Sequence, residues 1–195
     1  FRYKELNFDG YDIKVSQPPN GIRYSGQNMS AFEREPLSPS FQDFVPQVKV
    51  ALNQFHLEGV DGEAETWEDL GKWMNDELLY GRDQLAEGTV QYVQNLVRNI
   101  DDPLEITRKV YEYVQENTRY ISVQLGIGGW MPISAADVDR VKYGDCKGLT
   151  NYTKALLKAV GVESYYTVVH AGSQMKSLDE DFPSMQGNHV FLNVP

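Results

Sequence analysis

Two periodicities divide the chain. Through residues 1–57 apolar and polar positions change over short stretches broken by turn residues: "YDIKVSQPPNGIRYSG", "REPLSPSFQDF" and "PQVKVALNQF". Pro18-Pro19-Asn20-Gly21 predicts a turn between two strands, because Pro presets φ and Asn-Gly tolerates the turn backbone. Val48, Val50 and Leu52 alternate with Lys49, Ala51 and Asn53, the period of two of a half-buried strand with its apolar members inward. The stretch reads as the C-terminal part of a β-rich, sandwich-like domain, incomplete by itself.

From about residue 63 the period becomes helical. "EAETWEDLGKWMNDELL" sets Trp67, Leu70, Trp73, Met74 and Leu78 on one face, and "TVQYVQNLVRNI" predicts a second helix. Asp101-Asp102-Pro103 predicts the start of a third, with an aspartate as N-cap and Pro103 in the first turn. Its face is Ile106, Val110, Tyr113 and Val114, and it ends near Asn117. "YISVQLGIGGWMPISAADVDRVKYGD" reads as a Gly-rich connection to a helix that opens at Cys146, with Leu149, Thr153, Leu156, Leu157 and Val160 as its stripe and Gly161 as its stop. "ESYYTVVHA" and "NHVFLNV" then predict two strands around a polar loop, "GSQMKSLDEDFPSMQG". Helices followed by an antiparallel sheet predict an α+β fold for residues 58–195.

Composition removes some classes of partner. Hydrophobic residues make up 41% and aromatics 12%, an ordinary globular content. The net charge of −10 lacks the basic footprint that nucleic acid or an anionic membrane surface requires. No apolar run approaches the roughly 18 residues of a membrane span. The chain opens on Phe1 without a methionine, which reads as a fragment.

The chemistry centres on Cys146, the sole cysteine. With Asp145 as N-cap, Cys146 is the first helical residue, among unpaired N–H groups at the positive end of the helix dipole. That setting favours a thiolate, and its N–H groups face an oxyanion forming where the sulfur attacks. The bland reading is a small apolar side chain, as most free cysteines are. Lys147 adds a positive charge nearby but, as the adjacent residue, points away from the sulfur. A base comes from three histidines: His56, His170 after the cysteine helix, and His189 at the start of the last strand. They are too scattered for a metal site, so no cofactor or metal is expected.

"KYGDCKGLTNYTKALLKAVGV", followed by "GNHVFLNV" and preceded by "NTRYISVQLGIGGWMPISAADV", resembles the transglutaminase-like superfamily. "SGQNMSAFEREPLSPSFQDFVPQVKV" resembles the end of a β-rich domain that precedes such cores in bacterial envelope proteins. The resemblance implies a papain-like Cys–His–acid core acting on amides, with Cys146 as nucleophile, His189 as general base, and a periplasmic or envelope location. It implies an acidic third member on the following strand, beyond Pro195, so that the core is truncated at its C-terminus. Asp179, Glu180 and Asp181 in the loop are the weaker alternative. Gly148 and Met131 depart from the pattern, which carries an acid and commonly a Gln there, and a thioether cannot donate to an oxyanion. Asp145, Trp130, Tyr143 and Met131 are expected to frame the site.

Three functional classes fit these residues. One is a protease, amidase or acyltransferase acting on a peptide or protein amide. Another is a non-catalytic module binding peptide or cell-wall material. The third is a structural part of a larger envelope protein.

Overall fold

A computed structural model describes residues 1–33, 35–173 and 176–195. Position 34 of the N-terminal stretch and positions 174 and 175 of the polar loop lie outside the described residues. The fold is mixed α and β, and the chain forms two compact units, Phe1–Asn53 and Gln54–Pro195.

In the first unit, β1 (Arg2–Leu6) pairs with β4 (Gln47–Ala51), and β2 (Ile13–Ser16) with β3 (Arg23–Gly26), both antiparallel. Between β2 and β3 the predicted Pro-Pro-Asn-Gly turn closes with a bond from the Gly21 N–H to the Pro18 carbonyl, 3.2 Å. The facing of β4 is the reverse of the expectation: Ala51 is buried, while Val50 and Leu52 are 60% and 58% exposed. A period of two states that the faces differ, not which one is covered. Phe32, Phe41 and Phe44 form a small aromatic group, with ring centroids 4.5 to 5.9 Å apart.

The second unit opens with a hairpin, β5 (Gln54–Leu57) and β6 (Val60–Glu63). Glu58 and Gly59, the two residues between the strands, both have positive φ (48° and 94°), the primed geometry that matches strand twist. Gln54–Leu57 thus belongs to the second unit rather than to the β-rich stretch before it. Helix α1 (Trp67–Trp73) starts at a capping box: Thr66 Oγ1 accepts from the Asp69 N–H (3.1 Å) while Asp69 Oδ2 accepts from the Thr66 N–H (2.9 Å). It continues directly into a π-helical segment, Met74–Leu79. Helix α2 (Glu87–Leu96) comes next, then α3 (Pro103–Asn117) with Asp102 as N-cap and Pro103 in its first turn.

The stretch expected to be a Gly-rich connection carries more order than its composition predicts. After β7 (Arg119–Tyr120) it forms a 3₁₀ turn, Gly126–Gly129, and a further helix, α4 (Ala135–Val141), before β8 (Tyr143–Gly144). Ser134 caps α4 by accepting from the Asp137 N–H (3.1 Å), and Lys142, at φ 58°, ends it in the left-handed region. Helix α5 (Cys146–Ala159) and the antiparallel pair β9 (Tyr165–Val169) and β10 (His189–Asn193) complete the unit.

Helix α5 is central to this unit. Its expected stripe is too narrow, because Thr150, Asn151, Tyr152 and Ala155 are buried along with Leu156 and Leu157. Val93 of α2, Val110 and Val114 of α3 and Val138 of α4 pack with α5 in one core. A second core gathers Leu70, Trp73 and Leu78 with Phe55, Trp130 and Met131. In it the Phe55 and Trp73 rings meet edge to face, with centroids 4.9 Å apart.

Candidate active site

Cys146 is the first residue of α5, and the turn before it is fixed from several sides. Asp145 Oδ1 accepts from the Gly148 N–H at 2.9 Å, the cap that the sequence predicts. Its other oxygen pairs with Lys147, whose Nζ also donates to the Val123 carbonyl at 3.3 Å. Both side chains of this ion pair are 5% exposed. Gly144 sits in a parallel pairing with Tyr120, where its carbonyl accepts from the Ile121 N–H at 3.0 Å. Gly148 has a steric reason. A Cβ there would lie 2.9 Å from Ile133 Cγ1 and 3.4 Å from Val138 Cγ2, so an acidic side chain has no room. Cys146 itself is half-buried and free.

His189 is the first residue of β10 and stands opposite Val169 of β9. The two residues before it set its position. A Cβ on Gly187 would lie 2.3 Å from Val168 Cγ1 and 3.0 Å from the Val169 carbonyl oxygen, so the backbone approaches β9 more closely than any side chain permits. Asn188 is held at three points: its N–H donates to the Val169 carbonyl (2.9 Å), its Oδ1 accepts from the Ala171 N–H (2.7 Å), and its Nδ2 donates to the Ala171 carbonyl (2.9 Å).

Cys146 and His189 line one cavity of about 410 Å³, together with Gln124, Trp130, Tyr166 and Asn188. Two tyrosines respond to the thiol end of α5. Burial raises the pKa of Tyr166, and the charges of Cys146 and Asp145 add to it. Its hydroxyl is buried and has no hydrogen-bond partner among the described residues. Burial also raises the pKa of Tyr120, again with contributions from Cys146 and Asp145, and its hydroxyl interacts with both the side chain and the backbone of Cys146.

The remaining sequence candidates are placed elsewhere. Tyr143 is 40% exposed and does not line this cavity. Met131 packs in the second core, although its neighbour Trp130 lines the cavity. His56 Nδ1 lies 2.7 Å from Asp61 Oδ1 on the β5–β6 hairpin, and His170 follows β9 with its Nδ1 buried and unpartnered among the described residues. None of Asp179, Glu180 and Asp181 lines the cavity, and the Glu180 carbonyl accepts from Trp67 Nε1 at 2.8 Å. Gln124, Tyr120, Tyr166 and Asn188 are additions from the structure. Asn188 and Gln124 had a signal in the sequence, being polar residues next to the quoted motif segments; Tyr166 reads there as one more strand aromatic. Among the described residues no group of three His, Cys, Asp or Glu is placed to hold a metal ion, and no helix is long and apolar enough to cross a membrane.

No protein-family model matches the chain, and none of the curated proteins does. A solved structure does: a protein of Parabacteroides distasonis described as a "putative protease", with a TM-score of 0.57 at 16% identity. The match covers 97% of this chain and 34% of that protein, so this chain spans about a third of its length. At that identity the two share a fold.

Proposed function

We propose that the second unit carries a transglutaminase-like cysteine centre for hydrolysis or acyl transfer at peptide or carboxamide bonds. One observation carries the reading: the only thiol, at the N-terminus of α5, and His189, at the start of β10, line the same cavity. The motif resemblance around "YGDCKG" and "GNHV" and the fold shared with a protein described as a "putative protease" support it.

In this reading Cys146 Sγ, as thiolate, attacks the carbonyl carbon and the carbonyl π electrons move onto oxygen. The Cys146 N–H and the Gln124 carboxamide are the donors available for that oxyanion. When the tetrahedral species collapses, the C–N bond breaks and His189 gives its proton to the departing amine. Water or a second amine then attacks the thioester, with His189 taking its proton, and the thiolate leaves. The interaction between Tyr120 and Cys146 puts a phenol where the substrate carbonyl must come, so substrate has to displace that hydroxyl.

The test is hydrolysis of a panel of peptide and carboxamide substrates by the wild type, Cys146→Ala and His189→Ala. The expected result is activity that Cys146→Ala abolishes and His189→Ala lowers by about 10³-fold or more, while iodoacetamide still labels Cys146 in His189→Ala. Binding of a peptide with no Cys146-dependent turnover of any substrate would instead favour the non-catalytic module.

A further inference from the structure

A second cavity, also about 410 Å³, adjoins the first. Met74, Trp130, Tyr166, Val168 and Gly187 line both, so the two share a wall. Their chemistry differs. Cys146, His189, Lys147 and Gln124 belong to the first alone. The second is surrounded by Trp67, Leu70, Leu178 and Met185, with Lys154 and Gln186 among its polar members.

The wall formed by the β9–β10 loop is anchored without any ligand. Gln186 Nε2 donates to the Phe182 carbonyl at 2.6 Å, Gln186 Oε1 accepts from the Asp179 N–H at 2.8 Å, and Trp67 Nε1 holds the Glu180 carbonyl. Phe182 is itself buried. An apolar space held open by its own hydrogen bonds does not have to be ordered when something enters it. Its volume lies in the range of small-ligand pockets, and its lining of large apolar side chains with a few polar groups is what such pockets use.

We infer that this second cavity is the side-chain subsite of the Cys146 centre, and that it takes an aromatic or long aliphatic side chain of a peptide next to the carbonyl under attack. The inference rests on the reading of Cys146 and His189 as the reacting pair. A peptide laid across Cys146 meets the shared wall first, and a residue there can reach the apolar space while its carbonyl stays in the first cavity. A carboxylate side chain would meet the same apolar lining and lose its hydration. Discrimination between Phe and Asp at that position should therefore be at least about tenfold.

Trp67 and Trp130 line the cavity and give a readout that needs no turnover. Tryptophan emission of the Cys146→Ala protein is titrated with acetyl-Ala-Phe-Ala-amide and with acetyl-Ala-Asp-Ala-amide. Saturable binding of the Phe peptide at least about tenfold tighter than the Asp peptide is expected. Gly71 lines the same space, and a Cβ built on it meets nothing within 4 Å. Gly71→Phe therefore places a ring in the cavity, and the preference for the Phe peptide should fall to near unity, with far-UV circular dichroism verifying the fold. Equal affinities in the Cys146→Ala protein, or a preference that survives in folded Gly71→Phe, overturn the subsite. Hydrolysis by the wild type without side-chain preference also overturns it and leaves the catalytic reading intact. Selective binding of the Phe peptide with no Cys146-dependent hydrolysis does the opposite: the cavity assignment stands and the catalytic reading falls.

Discussion

Gly187 shows how a residue with no side chain can govern one with catalytic chemistry. Because a Cβ there would sit 2.3 Å from Val168 Cγ1, Gly187→Ala must push the start of β10 off β9, and His189 moves with it two residues later. Overpacking of this kind costs about 1–3 kcal/mol, and a misplacement of about 1 Å can lower turnover by about 10²-fold. Gly187→Ala should therefore lower both the urea midpoint and the hydrolysis rate, while labelling of Cys146 by iodoacetamide proceeds at the wild-type rate. A variant with unchanged turnover would show that the backbone at 187 does not position the histidine. At this scale the sequence was most informative where chemistry is rare: one cysteine, three histidines and a capping aspartate leave few pairings. Gly187 was not legible in that way. Its constraint comes from Val168, a residue of another strand, and nothing in "MQGNHV" reveals that approach.

The packing of the helices depends on a single carboxylate. Asp139 of α4 accepts from the Tyr152 hydroxyl of α5 (2.6 Å), from Thr89 Oγ1 of α2 (2.7 Å) and from Lys142 Nζ (2.8 Å). Burial alone would raise the Asp139 pKa, but the bonds from Lys142, Tyr152 and Thr89 outweigh it and the pKa is lowered. A carboxyl depressed in the folded state stabilises the fold above its unfolded pKa, near 3.9, and that stabilisation is lost as pH falls through the folded value. Asp139→Asn should thus be less stable than the wild type by about 1–3 kcal/mol at pH 7, and the difference should shrink as unfolding is followed below about pH 4. A gap that stays constant with pH would remove the charge from the explanation. Long amphipathic elements were readable: α1, α3 and α5 begin at their predicted caps, and Gly161 follows α5. Helix α4 was missed because it has only seven residues inside a Gly- and Pro-bearing stretch, although Ser134 and Asp137 already had capping-box spacing before Val138 and Val141. The reversed face of β4 has a different cause, since Ala51 is the smaller and less apolar choice to bury.

Across the whole molecule the two units differ in what they bury. Among the described residues of Phe1–Asn53, Ala51 alone is a buried hydrophobic, whereas Gln54–Pro195 contains Leu70, Trp73, Leu78, Tyr152, Leu156 and the valines of α2, α3 and α4. Large buried side chains supply most of the free energy that offsets chain entropy. Residues 54–195 expressed alone should melt in one cooperative transition within a few degrees of the full chain, and residues 1–53 alone should show no such transition. A non-cooperative 54–195 would mean that the first unit is needed to complete the fold. This division was only partly legible. The change of period near residue 63 marks where helices begin, but a hairpin precedes them, and its apolar positions pair with Trp73 rather than with the strands before it. The second cavity lay wholly outside the reach of the sequence. Trp67, Trp130, Tyr165 and Met185 are distant along the chain, and each alone reads as core.

The π-helical segment Met74–Leu79 also constrains the length of the chain. Each α-helical residue turns about 100° about the helix axis, and a π turn accommodates one residue more than an α turn does. Removing any one residue from this segment would let it relax to α-helix, but would turn everything after it by about that angle. Leu78, which is fully buried, would leave the core, while Met74 would stay at the cavity and Leu79 would rotate away from it. A neighbouring exposed position would be driven inward instead. Insertions and deletions in this protein are therefore tolerable in the turn at Pro18–Gly21, but between 74 and 79 a gap of a single residue exchanges the inside of the helix for its outside.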